Sequence, residues 1–364
     1  MTREHMADMV ALQGRYCAEL GSPLYGALLA RAAEDVRTGG PCARALAGHE
    51  EDAGPQGLAL RLAGAVHALV LSGRAPELAR YYPSAGGRFG PAEAEPAWRA
   101  FRAAVASRPD EVRTWLSRAP QTNEVGRAHL LVAGLLWASD RTPLPIRLLE
   151  LGASAGLMLR ADRFRCTAEG FDWGPREAEV HLTGTWRGTP PAWLTGAARR
   201  HPELDVVERR GCDLAPVDPR SEDGALALRS YVWPDQTARH ERLAGALRLA
   251  AREPAEVVPL GAGDFLDGVE LREGTLTVVW HSVMRQYVPK PEWARVQAAL
   301  DRLAGAADER GALLHLAFEP VRVGTGHPFR LLARLNDGPT TTLAEAHPHG
   351  LPAYPAGEVT GRAA

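Results

Sequence analysis

The spacing of hydrophobic and polar residues changes near residue 140 of the chain. Before that point the apolar positions follow helical spacing, as in Val10, Tyr16 and Leu20 and in the long apolar stretch 58–71. No segment there shows the alternation or the short, bounded apolar runs that are typical of strands. The pattern therefore predicts a helical N-terminal domain over residues 1–140.

After residue 140, short apolar runs bounded by turn residues alternate with amphipathic segments. Such runs predict buried strands, and the segments between them predict helices. The predicted strands are 146–151, 204–213, 256–260, 276–280 and 312–318, and the predicted helices are 238–251 and 291–307. Two further strands, 329–336 and 340–347, form a predicted hairpin across Asp337-Gly338.

This alternation of strands and helices is typical of an α/β fold with a parallel sheet. We therefore predict an α/β domain over 141–351, with a mostly parallel, Rossmann-like sheet that ends in the antiparallel hairpin. A stretch rich in Trp, Gly and Pro predicts a small β insertion at about 168–203. The tail, 352–364, is predicted to be flexible.

The first predicted strand leads into a glycine-spaced turn, G-A-S-A-G, which a helix is predicted to follow. This arrangement brings a ligand against backbone N–H groups at a helix N-terminus, and Gly152 and Gly156 permit a tight turn and close approach. Three interpretations remain open. The turn binds S-adenosylmethionine with Glu150 facing the ligand, or Ser154 is the nucleophile of a G-x-S-x-G elbow, or the turn has no ligand.

Acidic and aromatic side chains stand at the ends of the next two predicted strands, where open α/β sheets bind ligands. Asp213 ends the second strand and is placed to accept hydrogen bonds from ribose hydroxyls, with Glu208 and Asp218 as nearby rivals. Asp264 and Phe265 follow the third strand, where they are placed to meet an adenine amino group and the adenine ring.

The segment Q-T-N-E-V-G-R at 121–127 places five polar side chains in seven residues, directly before an apolar helix. It is either a polar loop with Thr122 or Asn123 as the helix cap, or a lid whose polar groups bind a ligand. Tyr82 lies in another segment that is rich in turn residues, and the W-P-D-Q segment at 233–236 reads as a proline turn.

Histidines supply the candidate bases. His281 follows the clearest buried strand, 276–280, and is the preferred candidate, although a structural strand-end histidine fits the pattern equally well. His347 and His349 are two residues apart and invite a metal site, but no third ligand stands near them in the sequence. No metal is therefore predicted.

Length and composition narrow the class of protein. The 364 residues are enough for about two domains and a complete core, and the net charge of −2 gives no reason to expect nucleic acid or an anionic membrane as a partner. Four scattered cysteines without C-x-x-C predict reduced thiols in a cytoplasmic protein. There is no run of about 18 apolar residues to span a membrane. The single lysine, Lys290, excludes a phosphate-binding G-K-[ST] loop.

The order of these motifs resembles that of a class I S-adenosylmethionine-dependent methyltransferase domain. The matching elements are strands with E-x-G-x-S-x-G, G-x-D-x-x-P, G-D-F and H-S, then a helix, a strand and a hairpin. Over nearly its whole length, the chain more closely resembles the bacterial domain-of-unknown-function family 2332. That resemblance rests on Y-Y-P-S at 81–84, Q-T-N-E-V-G-R at 121–127, the glycine turn, D-L-A-P-V-D at 213–218, V-W-P-D-Q-T at 232–237, H-S at 281–282 and A-H-P-H-G at 346–350.

The methyltransferase resemblance implies a seven-stranded Rossmann-like methyltransferase sheet and S-adenosylmethionine as the cofactor. The implied cofactor contacts are Glu150, Gly152, Ser154, Gly156, Asp213, Asp264 and Phe265. The family resemblance favours a functional lid at 121–127. The expected contacts to the acceptor substrate are Tyr82, Gln121, Asn123, Arg127, Trp233 and Gln236.

Two features depart from the expected pattern. Glu150 and Asp213 are 63 residues apart (213 − 150), whereas a βαβ unit places its acidic residue about 20 positions after the glycines. The predicted insertion has to account for that distance. Met158 stands where the family usually has asparagine, which alters the predicted pocket.

Three functions follow from these motifs. The first is methyl transfer to a small molecule held between the helical domain and the sheet rim, with His281 or Glu124 as the base. The second is non-catalytic ligand binding on the same fold. The third is a serine hydrolase that uses Ser154, an acid such as Asp264, and His281 or His347; the lack of upstream strands and of an H-G-G-G segment counts against it. A homodimer is compatible with each function.

Overall fold

The computed structural model describes residues 2–49, 57–117 and 120–356 of the chain. The chain divides into two compact units, each built from two segments of the sequence. The first unit consists of Met1–Thr122 and Pro219–Glu241, and the second consists of Asn123–Asp218 and Arg242–Ala364. The predicted division at residue 140 differs from these units, because residues 123–140 belong to the second unit and 219–241 to the first.

Helices occur throughout the described residues. The α-helices are α1 (Arg3–Glu19), α2 (Pro23–Arg37), α3 (Pro41–Leu46), α4 (Leu58–Leu71), α5 (Pro76–Ala79), α6 (Ala94–Ser107), α7 (Pro109–Leu116), α8 (Ala128–Ser139), α9 (Ala192–Arg200), α10 (Glu222–Ser230), α11 (Thr237–Arg252), α12 (Ala262–Asp267) and α13 (Lys290–Gly305). Short 3-10 helices lie at Pro83–Ala85, Pro91–Glu93, Val125–Arg127, Leu157–Arg163 and Arg285–Tyr287.

The described part of the first unit is helical, as the apolar spacing predicts. Helix α2 begins after Ser22, whose hydroxyl accepts a hydrogen bond from the N–H of Tyr25 and so caps the first turn. Helix α4 coincides with the predicted stretch 58–71 and is buried around most of its circumference. The short helix α3 follows α2, and residues 50–56 lie outside the described residues.

Strands are confined to the second unit in the described residues. They are β1 (Ile146–Leu151), β2 (Arg165–Ala168), β3 (Phe171–Trp173), β4 (His181–Thr183), β5 (Val206–Asp213), β6 (Glu256–Pro259), β7 (Thr275–Ser282), β8 (Gly311–Pro320), β9 (Phe329–Leu335), β10 (Thr341–Ala346) and β11 (Ala353–Pro355).

Eight of these strands form one sheet in the order β11-β10-β9-β8-β7-β1-β5-β6. The neighbouring strands β6, β5, β1, β7 and β8 pair in parallel. Strands β9, β10 and β11 add antiparallel pairs at the other edge of the sheet. The predicted α/β class, the mostly parallel sheet and the antiparallel hairpin are confirmed. The strand order reverses between β1 and β7, the point at which open α/β sheets leave a crevice beyond their carboxyl ends.

The register of β1 against β7 decides which side chains share a face of the sheet. Glu150 lies beside Trp280, and Leu151 lies beside His281. Because side chains alternate along a strand, the first pair points to one face and the second pair to the other. Helix α8 covers the first face so closely that a Cβ on its Gly134 would lie 2.6 Å from a leucine methyl group of β8. Helices α12 and α13 pack on the second face in an apolar core.

The insertion after β1 has more structure than the sequence predicts. Strands β2, β3 and β4 form a separate sheet in the order β3-β2-β4, and the predicted β insertion also contains helix α9. The N–H of Ala353 in β11 donates to the carbonyl oxygen of Thr185 at 2.9 Å, beyond the end of β4. The predicted flexible tail therefore begins with a strand, and residues 357–364 lie outside the described residues.

Two further properties concern membrane contact and the thiols. In the part of the chain that the structure describes, the helices lack the combination of length and apolar character that a bilayer crossing needs. Cys17, Cys42, Cys166 and Cys212 are all free, buried thiols, as their scattered spacing predicts.

Candidate functional site

The turn after β1 is tight, and the protein itself uses several of its N–H groups. Gly152, Ser154 and Gly156 all have positive φ, at 66°, 53° and 63°. The N–H of Ser154 donates to Oδ2 of Asp213 at 2.9 Å, and the N–H of Leu157 donates to the side chain of Asn123 at 2.9 Å. The N–H groups of Ser154 and Leu157 are therefore already bonded within the protein.

The two glycines of the turn are needed for packing as well as for backbone conformation. A Cβ on Gly152 would lie 3.1 Å from Cβ of Met284, and a Cβ on Gly156 would lie 2.8 Å from Cγ2 of Val257. Side chains of the protein make the close approach that the sequence assigns to a ligand. The helix expected after the turn is the 3-10 helix Leu157–Arg163, which deviates from helical geometry near its middle.

Two predicted carboxyl groups converge beside this turn. Glu150 ends β1 at 1 % exposure, and its register partner in β5 lies two residues before Asp213, so both side chains share a face. Burial raises the pKa of Glu150 well above its usual range, and the nearby charge of Asp213 raises it further. Arg160 and Arg127 lower that pKa, but their influence is smaller. The glycine turn thus brings an acidic pair together across 63 residues of sequence.

Polar atoms beside this acidic pair lack partners. Oε2 of Glu150 and the indole Nε1 of Trp280 are both buried without a hydrogen bond, and the two residues are register neighbours in β1 and β7. Trp280 is the smallest of the influences that lower the pKa of Glu150, although no hydrogen bond of normal geometry joins the two side chains. Buried polar groups without partners are rare, and each calls for an explanation such as a bound ligand.

The polar segment at 123–127 serves mainly to connect parts of the second unit. Asn123 caps the 3-10 helix at Leu157, and Oε1 of Glu124 accepts the N–H of Gly126 at 3.0 Å. Arg127 donates from Nε to the carbonyl oxygen of Pro348 at 3.0 Å. These contacts give Asn123, Glu124 and Arg127 structural roles within the protein. Such roles are expected of a polar loop and do not depend on a ligand-binding lid.

The same segment fits closely against the A-H-P-H-G motif. A Cβ on Gly126 would lie 2.6 Å from the carbonyl oxygen of His349, and a Cβ on Gly350 would lie 2.8 Å from Cα of Arg127. His129 shares a hydrogen bond of 2.7 Å with the carbonyl oxygen of Gly350. Two motifs that are more than 200 residues apart in sequence therefore form one connection.

His281 lies in a buried network rather than on an open surface. It is 2 % exposed, its Nδ1 is 2.8 Å from Oε1 of Glu319, and its Nε2 is 3.2 Å from Nε2 of His315. Burial lowers the pKa of His315 to about 3, so that ring is neutral at ordinary pH. Both ring nitrogens of His281 have partners, which opposes its predicted role as a base that contacts substrate.

Glu319 is the residue of this rim whose role the sequence analysis missed. Its Oε1 accepts the N–H groups of Met284 at 3.0 Å and Arg285 at 3.2 Å, in addition to its contact with His281. Its Oε2 is buried without a hydrogen-bond partner. An acidic residue at the end of a strand was the available signal, because Glu319 lies at the end of β8 as Glu150 lies at the end of β1.

The structure does not bring Asp264 and Phe265 into this group. Asp264 is 57 % exposed and forms an ion pair with Arg295 at 2.7 Å. Phe265 is 3 % exposed and packs in the core under α13, with the guanidinium of Arg210 5.4 Å from its ring centroid. Hydrophobic burial covers the ring of Phe265, which disfavours its predicted stacking on a ligand.

The other predicted substrate contacts belong to the first unit. Tyr82 is fully buried, and Trp233 is 6 % exposed in the same apolar core. Gln236 donates from Nε2 to the carbonyl oxygen of Leu20 at 2.8 Å and accepts a bond from Arg239. Gln121 is partly exposed.

The paired histidines near the C-terminus also lack metal-site geometry. Nε2 of His347 is 3.3 Å from the hydroxyl of Tyr354. Among the described residues, no group of three or more His, Cys, Asp or Glu side chains is arranged to hold a metal ion.

Comparison with models of protein families gives one match over most of the chain. No curated protein matches the chain. The matching family model bears the description "Uncharacterized protein conserved in bacteria (DUF2332)" and covers residues 7–353. The match includes the glycine turn, the acidic pair and the connected motifs at 123–127 and 346–350. The chain belongs to the DUF2332 family.

Proposed function

We propose that this protein binds S-adenosylmethionine at the rim formed by the carboxyl ends of β1, β5 and β7, and transfers its methyl group to a small-molecule acceptor. The observation that carries the proposal is the buried, unpaired Oε2 of Glu150 beside Asp213. A buried acceptor without a donor costs free energy, and a ligand that supplies the donor would remove that cost.

The free hydrogen-bonding capacity at this rim suits a ligand that donates hydrogen bonds or carries positive charge. The N–H groups of Ser154 and Leu157 already have acceptors in the protein, which disfavours a phosphate ligand at the turn. At this rim, one carboxylate oxygen of Glu150 and one of Glu319 are buried without a partner. S-adenosylmethionine fits this chemistry, since it has an ammonium group, a sulfonium and ribose hydroxyls.

Asp213 retains capacity for the predicted ribose contact. Its Oδ1 accepts the N–H of Ala215 and its Oδ2 accepts the N–H of Ser154, each at 2.9 Å. Each carboxylate oxygen can accept more than one hydrogen bond, so both can also accept from hydroxyls. Glu208, which precedes Asp213 in β5, forms an ion pair with Arg147 of β1. Asp213 is therefore a stronger candidate than Glu208 for the ribose contact.

The topology adds support for a methyltransferase-type Rossmann fold. Counted along the chain, the main sheet has the order 3-2-1-4-5-6-7-8, eight strands where the methyltransferase resemblance implied seven. Its first six strands follow the order of doubly wound nucleotide-binding sheets, although the sixth is antiparallel. In such sheets ligands lie at the carboxyl ends where the order reverses. Glu150 and Trp280 lie on the two strands that flank this point.

In the proposed reaction, the bound cofactor supplies an electrophilic methyl group. The contribution of the protein is to hold the two reactants in line and to exclude water. Glu150 and Asp213 orient the cofactor. Glu124 and His281 stay the predicted bases for a protonated acceptor, and each also has a hydrogen bond within the protein.

Calorimetric titration with S-adenosylmethionine tests the proposal. The wild type should bind saturably, and Glu150→Gln and Asp213→Asn should each weaken binding by about tenfold or more, since hydrogen bonds to charged groups are strong. Glu208→Gln, on the same strand as Asp213, is the matched control and should bind normally. Absence of both heat and a thermal shift in the wild type would contradict the proposal.

The same protein can separate methyl transfer from ligand binding alone. A methyltransferase should release S-adenosylhomocysteine when it is incubated with the cofactor and a bacterial small-molecule extract. A non-catalytic binding protein on this fold should bind the cofactor and release none.

A serine hydrolase is the second candidate because Ser154 has a φ of 53°, a conformation that is unusual for a residue with a side chain and is compatible with a strained nucleophile turn. His281 is engaged by Glu319 and His315, which disfavours it as the partner of Ser154. Labelling by a fluorophosphonate that disappears in Ser154→Ala would establish this candidate, and an unlabelled wild type would remove it.

A further inference from the structure

The segment after β7 has a strained backbone at the rim of the sheet. Val283 has a φ of 53°, in the left-handed region that β-branched residues avoid. Such a conformation persists only where surrounding contacts impose it, and it is often found at functional sites. The segment 282–285 therefore needs contacts that hold it in place.

Glu319 provides those contacts from the neighbouring strand. Its Oε1 accepts three hydrogen bonds, from the N–H of Met284 at 3.0 Å, the N–H of Arg285 at 3.2 Å and Nδ1–H of His281 at 2.8 Å. The N–H of Val283 itself donates to the backbone carbonyl oxygen just before Glu319, at 2.9 Å. The carboxylate is 7 % exposed, so water competes little for these bonds.

The held segment in turn contacts the proposed cofactor site. Met284 packs against the glycine turn so closely that a Cβ on Gly152 would lie 3.1 Å from Cβ of Met284. The carbonyl oxygen of Ser282 accepts a hydrogen bond from Nη1 of Arg127 at 3.3 Å, and Arg127 lowers the pKa of Glu150. The segment thus touches the turn on one side and is bonded to a neighbour of Glu150 on the other.

We propose that Glu319 is a positioning residue, which holds segment 282–285 in its strained conformation against the glycine turn and so shapes the cofactor site. The inference rests on the proposed function for the identity of the ligand. The contacts of Glu319 with the segment do not depend on the ligand and can be measured without it.

Three substitutions of Glu319 separate the effects of its hydrogen-bond acceptor, its charge and its side-chain length. Glu319→Ala removes the acceptor, Glu319→Asp keeps the charge on a shorter side chain, and Glu319→Gln keeps an oxygen that can accept the same three bonds. The matched control is Glu345→Ala, since Glu345 is 3 % exposed, pairs with Arg330 at 2.8 Å and lies in β10 of the same sheet.

Two readouts are measured on the full chain, namely amide hydrogen exchange of Met284 and Arg285, and affinity for S-adenosylmethionine by calorimetry. Glu319→Ala and Glu319→Asp should speed exchange at both amides and weaken binding, each by about tenfold or more. Glu319→Gln should restore both values to within about threefold of the wild type. Glu345→Ala should leave both unchanged although it destabilises the fold.

A second-site change sharpens the test. Val283→Gly relieves the strain because glycine adopts positive φ without a steric cost. In the Glu319→Ala background it should recover part of the lost affinity. If Glu319→Ala does not fold, Glu319→Asp with and without Val283→Gly gives the same comparison.

The outcomes separate this inference from the proposed function. Unchanged exchange in both Glu319→Ala and Glu319→Asp would overturn the inference, whatever the ligand does. Faster exchange with unchanged affinity would overturn the link between the segment and the site. A wild type that does not bind S-adenosylmethionine would overturn the proposed function, and the exchange data alone would then decide whether Glu319 holds the segment.

Discussion

The motif cluster of the first unit and the sheet rim of the second unit look alike in sequence but differ in how their polar groups are satisfied. In the first unit, His67 Nδ1 is 3.0 Å from the carbonyl oxygen of Ser230, and Nε2 is 2.7 Å from the hydroxyl of Ser84. Asp235 accepts bonds from the Ser22 hydroxyl at 2.6 Å and the Leu24 N–H at 2.9 Å. The Y-Y-P-S and W-P-D-Q motifs are thus largely satisfied within that unit.

At the sheet rim, by contrast, polar atoms of Glu150, Trp280 and Glu319 are buried without partners. The first unit has such atoms as well, on Tyr82 and His240, but its charged side chain Asp235 is fully engaged. Burying an ionised carboxylate without a partner costs more than burying a neutral polar atom, and the raised pKa of Glu150 reflects that cost. The rim is therefore the better candidate for a ligand site.

The contrast also explains why a Ser–His pair need not be catalytic. Because Nδ1 of His67 must donate to a carbonyl oxygen, its Nε2 accepts the hydroxyl proton of Ser84, which is the geometry of a nucleophile and its base. Burial, however, lowers the pKa of His67 to about 3, which makes it a weak base at neutral pH. Here the pair joins helix α4 to the 3-10 helix Pro83–Ala85.

The largest effect should come from removing the centre of the first cluster. His67→Ala deletes a fully buried ring and two hydrogen bonds, and should lower the free energy of unfolding by about 4 kcal/mol. Urea unfolding measures the loss. The comparison would fail if His67→Ala kept wild-type stability but lost S-adenosylmethionine binding, since the cluster would then serve a ligand.

Lowering the pH should reduce the free energy of unfolding through His67 by nearly as much as the His67→Ala substitution does. The unfolded chain binds a proton at His67 near pH 6.5, whereas the folded chain does so only near pH 3, so stability falls as the pH drops from about 6.5. From pH 7 to pH 4, His67 alone should account for about 3 kcal/mol. The pH dependence of the unfolding free energy should be shallower by this amount in His67→Gln, and equal slopes would refute the assignment.

At the sheet rim, a substitution of Glu150 should raise the free energy of unfolding, by less than the substitution of His67 lowers it. The pKa of Glu150 is raised in the folded state, so its contribution to stability is complete below about pH 4.5 and is lost as the pH rises. Glu150→Gln cannot ionise and should be more stable than the wild type at pH 8, by about 1 to 2 kcal/mol, with no difference at pH 4. Thermal unfolding at both pH values measures this, and destabilisation at pH 8 would show that the carboxylate is satisfied.

The smallest effect concerns Ser84. Ser84→Ala removes one hydrogen bond to His67 and should cost about 1 kcal/mol of unfolding free energy. It should leave S-adenosylmethionine affinity at the wild-type value, as measured by calorimetry. If a fluorophosphonate labelled the wild type but not Ser84→Ala, Ser84 would be a nucleophile with His67 as its base. The first cluster, and not the sheet rim, would then be the better candidate for a functional site.

The sequence alone determined the elements whose signal is local. Helix α4, the parallel strands and the hairpin follow from apolar periodicity and turn residues, which act within a few positions of one another. It also indicated the rim, because strand-end residues such as Glu150 and Asp213 gather wherever parallel strands share an edge.

Only the tertiary structure decided which groups are available to a ligand. Phe265 reads as a ring for stacking and His281 as a free base, yet packing under α13 covers the first and Glu319 engages the second. The physical reason is that burial and hydrogen-bond satisfaction depend on partners that are distant in sequence, and local spacing carries no information about them.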